Sequence, residues 1–184
     1  MNLQGLSPSI VNRNLLFAGI FLVSLSGLAL EIAITRIFSA AMWYHFAFVA
    51  VSVALLGLGS SGLLVHYKLK KLGENWGDRI TVLACLGITL SIPLTLFVMH
   101  SLSSQLLYLP LYMLLFTIPF FCVGIVISMA FSAFARVAGK LYASDLIGAS
   151  IGSLAVILLL NFSGGEGTSL VVGLLAAICA TLFS

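Results

Sequence analysis

Long apolar runs separated by short polar stretches organise this chain. The runs occupy residues 15–41, 46–67, 80–99, 106–134, 142–162 and 169–183. A helix needs roughly 20 apolar residues to cross about 30 Å of hydrocarbon, so five of the runs qualify outright and the sixth is short. The pattern predicts an all-α, polytopic membrane bundle of about six transmembrane helices, forming a single domain over residues 1–184. The last run stops at Ser184 with no polar flank, so the natural gene product is expected to continue, or the chain to be a fragment. Arg13 followed by an apolar run resembles a signal peptide, but the run reaches Ala41. That is well beyond the usual apolar core of about 7–15 residues, and a retained first span is expected.

Charge gives the spans a direction. Of the eight Lys and Arg residues, seven fall on one side of a six-span layout: Arg13, Lys68, Lys70, Lys71, Arg79, Arg136 and Lys140. The alternate connections, near Met42–Tyr44, His100–Gln105 and Ser163–Gly167, carry none. Positive charge on short loops is retained in the cytoplasm, which places the 68–79 loop and both chain ends there. Arg36 is the exception. The aromatic residues fit these boundaries: Trp43 and Tyr44 follow span one, Tyr67 and Trp76 flank the loop after span two, Tyr108 and Tyr112 open span four, and Tyr142 opens span five. Amphipathic rings at headgroup level belong in those places.

Composition narrows the class further. Hydrophobic residues make up 61% of the chain and charged ones 7%, with a mean hydropathy of +1.23. A water-facing domain carries about a quarter charged residues, so lipid is the solvent here. The net charge of +3 then reflects the loop bias, and no basic run interleaved with aromatics points to nucleic acid. Cys85, Cys122 and Cys179 sit singly inside apolar runs and read as packing residues; neither metal-ligand spacing nor a disulfide framework is present. Pro110 starts span four, where a missing N–H costs little, whereas Pro119 lies inside it and should kink or loosen that helix.

The main anomaly is Glu31, with Arg36 five residues on. Counted from Leu15, Glu31 lies about 24 Å and Arg36 about 31 Å along the helix. Ser24, Gly27, Glu31 and Thr35 share a stripe, so Glu31 projects into a seam of small and polar residues. Arg36 is about 140° away, and each residue is expected to meet a partner on another span. One reading is a proton- or substrate-binding carboxylate with an arginine for an anion. The other is an ion pair locking the bundle, with Arg36 snorkelling to the headgroups. Asp145, in Tyr142-Ala143-Ser144-Asp145, reads first as a cap on the opening turn of span five and second as a site at the cytoplasmic face. Gly57, Gly59 and Gly62 match G-x-G-x-x-G by letter but lie within a span, not at a strand-to-helix turn, so dinucleotide binding fails and packing is expected. His45, Ser52, Gly59 and His66 recur by sevens, a packing seam. Gly148 and Gly152, with Ala149 and Ser153, form a small-xxx-small face for close helix approach. Gly164–Gly167 reads as a short outer loop. No catalytic constellation, metal cluster or phosphate loop emerges, and no cofactor is called for.

Three stretches together resemble the membrane domain of bacterial spermidine-synthase-like integral membrane proteins. They are Ser26-Gly27-Leu28-Ala29-Leu30-Glu31-Ile32-Ala33-Ile34-Thr35-Arg36, Pro119-Phe120-Phe121-Cys122-Val123-Gly124, and Leu141-Tyr142-Ala143-Ser144-Asp145-Leu146-Ile147-Gly148-Ala149-Ser150-Ile151-Gly152. The resemblance implies a multi-span bundle of the bacterial inner membrane that often precedes a soluble aminopropyltransferase-like domain. That domain's glycine loop and catalytic acid have no counterparts here, so the transferase activity does not carry over. Glu31, Arg36, Tyr142 and Asp145 match the family's polar signature positions.

The expected function is a non-catalytic membrane domain: an anchor, a scaffold or a subunit, partnered by the bilayer and by another membrane subunit or a fused soluble domain. Two alternatives stand beside it. One is a transporter or permease module with Glu31, Arg36 and Asp145 in a polar path. The other is the membrane part of an aminopropyltransferase-like enzyme whose catalytic domain lies elsewhere.

Overall fold

The computed structural model describes residues 13–41, 47–68, 77–102 and 106–183, and among them every regular element is helical. The elements are α1 (Arg13–Ala41), α2 (Ala47–Tyr67), α3 (Gly77–Ser101), α4 (Leu109–Ala133) and α5 (Ala138–Phe183). Short 3-10 turns at Leu106–Tyr108 and Ala135–Val137 lead into α4 and α5. Among the described residues five helices are long and apolar enough to cross a membrane. Helices are the physical outcome because lipid offers no hydrogen bonds, so each segment must satisfy its own N–H and C=O groups. The first four helices match the runs at 15–41, 46–67, 80–99 and 106–134 to within a few residues. Pro110 sits in the first turn of α4, while the buried Pro119 lies inside that helix. Pro93, a proline inside α3 that hydropathy alone does not flag, faces outward.

The runs at 142–162 and 169–183 both fall within α5, a 46-residue element broken at Gly164 by non-helical angles, φ 65° and ψ −174°. The expected outer loop is thus replaced by a break at one glycine. A side chain would be strained at these angles, which only glycine adopts readily. Below the break, Gly148 abuts Phe21 and Gly152 abuts Leu25, so the contacts climb α1. Beyond it, Gly165 meets Ile37 while Phe183 and Cys179 meet Gly19, so they descend again.

α1 and α4 are the most buried helices. In α1, Leu16, Ile20, Val23, Ala29, Leu30, Ala33, Ile34 and Phe38 are all buried, on several of its faces. Its upper half packs on α4, with the Phe38 and Phe116 rings edge to face at 5.4 Å and Gly27 against Val123. α2 joins through Gly57, which lies over Phe120 and the Thr117 and Phe121 backbone of α4. α3 closes the other side, with Gly87 over Cys122 of α4 and Gly173 of α5 near Thr89 and Ile92. Cys85 and Cys179 are fully buried, all three thiols are free, and Cys85 lies beside both Cys122 and Cys179. The outer surface carries Phe48, Leu55, Leu90, Phe97, Leu114, Leu154 and Leu174, a continuous apolar coat that suits lipid contact and would be a liability in water.

Tyr112 departs from the aromatic-belt expectation. It is fully buried, and its hydroxyl donates to the Leu102 carbonyl at 3.4 Å. Its ring fills the core where α3 ends, which satisfies the phenol without headgroups. Tyr67 and Tyr142 are exposed, in keeping with a headgroup position, and Trp43, Tyr44 and Trp76 lie outside the described residues.

Candidate functional site

The candidate acids Asp145 and Glu31 lie at two places along α1. The first is the crossing of α1 with the lower half of α5. A Cβ added to Gly148 would lie 2.3 Å from the Phe21 carbonyl oxygen, and one added to Gly152 would lie 2.5 Å from that of Leu25. Backbones this close require the small-xxx-small face. One turn before Gly148, Asp145 accepts a hydrogen bond to Oδ1 from the Ser24 hydroxyl. Ser24 is buried and Asp145 half-buried. The capping expectation for Asp145 is therefore corrected. α5 begins at Ala138, two turns earlier, so no first-turn N–H is free at Asp145 and the carboxylate bonds across helices instead.

The second place is the upper half of α1. Glu31 is half-buried, and its backbone carbonyl accepts from Thr35 Oγ1 at 2.7 Å. Gly27, one turn below on the same stripe, faces α4. Arg36 is exposed. Among the described residues neither Glu31 nor Arg36 has an ion pair, with each other or across helices, so the expected partner on another span does not appear. Arg36 instead lines a cleft of about 440 Å³ with Ile37, Ala40, Met99 and the Ser163–Glu166 segment at the break of α5.

The remaining candidates scatter. Tyr142 is exposed on α5, one turn below Asp145. Of the three glycines in α2 only Gly57 is tightly packed. Gly62 has Ser128 Oγ 3.7 Å from where its Cβ would be, and Gly59 has nothing within 4 Å. The packing role expected of Gly59 is therefore not found among the described residues, and the seam of sevens faces outward there, since Ser52, Gly59 and His66 are all exposed. His45 lies outside the described residues. Among the described residues no group of three or more His, Cys, Asp or Glu side chains could hold a metal ion.

Sequence reasoning passed over two residues. Glu166 shares the cleft with Arg36, and the signal was available: it is the one acid in a connection with no basic residue. Ser26 is 1% exposed, and among the described residues its hydroxyl has no hydrogen-bond partner; nothing in the sequence distinguishes it from the serines that bond back to their own helix. Ser24 was on the marked stripe, but its pairing with Asp145 joins residues 121 positions apart. Comparison with protein-family models, with curated proteins and with solved structures finds no match for this chain.

Proposed function

We propose that this chain is a six-span membrane bundle without catalytic chemistry of its own, serving as an anchor, scaffold or subunit for a partner domain. The reading of six spans is supported by the reversal of contacts along α1 on either side of Gly164. A 46-residue helix would run about 69 Å if straight, more than twice the hydrocarbon thickness. The positive-inside bias orients both ends and the 68–79 loop to the cytoplasm. The three-stretch resemblance supports a bacterial inner membrane and a fused or associated soluble partner.

One observation carries the scaffold reading. The charged side chain nearest the small-residue seam, Asp145, is bonded to Ser24 across the closest helix crossing, and it is not among the residues that line the Arg36 cleft. A carboxylate so placed joins helices. Transport is the second reading, favoured by Glu31, which is half-buried within a span and without a side-chain partner among the described residues. An acid there is costly and usually functional. Reconstituted liposomes with an internal pH dye separate the two. The scaffold reading expects proton leak equal to that of empty liposomes. A flux that vanishes in Glu31→Gln while the variant remains folded would overturn it in favour of transport.

A further inference from the structure

The cleft beside Gly164 holds two opposite charges that do not pair. Arg36 and Glu166 both line it and both are exposed, yet among the described residues neither forms an ion pair. A guanidinium and a carboxylate in direct contact frequently form a bidentate pair. Unpaired here, they present a cation and an anion to whatever enters between them. Ile37, Ala40 and Met99 give the same cleft an apolar side. Gly164 leaves one wall open, with nothing within 4 Å of where a Cβ would be. The volume of about 440 Å³ falls in the range of small-molecule sites.

Depth narrows the ligand. Arg36 lies 23 residues after Arg13 on one helix, about 35 Å along its axis, which exceeds the hydrocarbon thickness and reaches the headgroup level at the end of the span. The planar guanidinium matches phosphate oxygens, and a carboxylate accepts from a primary ammonium. We propose that this cleft binds a phosphate bearing a primary amine, the chemistry of a phosphoethanolamine group, with Arg36 on the phosphate and Glu166 on the ammonium. The apolar side accommodates the glycerol and first acyl carbons when the group belongs to a lipid. This inference goes beyond the scaffold reading and does not depend on it, since an anchor and a transporter could both carry such a site.

The test uses the full chain in mild detergent, with binding read by native mass spectrometry against phosphatidylethanolamine and phosphatidylglycerol of equal chain length. The ammonium contact at an exposed site gives an expected preference for phosphatidylethanolamine of about two- to fivefold. Glu166→Gln should abolish the preference and leave total binding in place. Arg36→Gln should reduce both lipids to the level of nonspecific annular contact, and Arg36→Lys should restore part of the binding. Both residues are exposed, so the variants should elute as the wild-type protein does; if Arg36→Gln does not, Glu166→Gln alone decides. Soluble phosphoethanolamine is then added. Competition shows that the free headgroup suffices, and failure to compete shows that the lipid is the source; either agrees with the shared chemistry. Equal binding of the two lipids by the wild-type chain, or a preference that survives Glu166→Gln, overturns the proposal.

Discussion

Replacing Gly148 with alanine tests the α1–α5 crossing at its tightest point. The added Cβ would lie 2.3 Å from the Phe21 carbonyl oxygen, against 3.4 Å for the start of ordinary van der Waals contact. The nearest atoms are backbone, namely the Phe21 oxygen, carbonyl carbon and Cα, so no side chain can rotate away. The helices must part by about 1 Å, and a gap of 0.5–1 Å forfeits roughly a quarter to a half of the dispersion energy along the seam. Overpacking of this kind costs about 1–3 kcal/mol, while alanine in a helix recovers about 0.5–1 kcal/mol. The net expectation is a loss of up to about 2.5 kcal/mol, centred on about 1 kcal/mol. Gly59→Ala is the matched control, since that glycine has nothing within 4 Å and should be neutral or slightly stabilised. Both variants are compared with wild type by thermal or denaturant unfolding in one detergent. A Gly148→Ala protein as stable as Gly59→Ala would refute the close crossing.

Three further outcomes follow from the same geometry. Ser24→Ala and Asp145→Asn should each destabilise the bundle, and a double-mutant cycle should give a coupling of about 0.6–1.7 kcal/mol, as for other interhelical bonds in membranes; additive effects would deny the bond. Gly164→Ala should cost about 1–3 kcal/mol in the same unfolding assay, because alanine is strained at φ 65° and ψ −174°, whereas an unchanged stability would argue for a regular helix through the break. Glu31→Gln should fold with stability equal to or above wild type, since it removes a half-buried acid without a side-chain partner among the described residues; a marked loss of stability would reveal a structural partner for the carboxylate.

The helices were legible in the sequence because membrane spans are written in local composition. Runs of apolar residues and the prolines and charges between them needed no tertiary information to place α1 to α4. The end of the chain was less legible. Gly164-Gly165-Glu166-Gly167 has loop composition, and only the backbone shows that a single positive-φ glycine makes the break. The position of Asp145 differs from expectation for a related reason. Tyr142-Ala143-Ser144-Asp145 looks like a helix start, but Ala138 to Leu141 continues the helix backwards and moves Asp145 into its interior. Its partner Ser24 was beyond reach, since pairing across helices is decided by packing and not by spacing. The same holds for the three cysteines, which sit singly in apolar runs and whose proximity no spacing announces. Gly148 and Gly152 could be read because i, i+4 small residues share a face; Gly59, equally small, could not be told from Gly57 without knowing which face of α2 meets α4.

The central claim is that the chain turns back at Gly164 to make a sixth span antiparallel to α1. Spin labels at Leu15 and Thr181, both exposed, measure this directly by double electron–electron resonance in a variant with Cys85, Cys122 and Cys179 replaced by alanine. With Phe183 seated at Gly19, the two sites differ by about 9 Å along the axis on neighbouring helices, so a distance below about 25 Å is expected. A straight α5 leaving α1 at Gly148 would carry Thr181 about 58 Å from Leu15 along that axis. A distance above about 45 Å would contradict the six-span account.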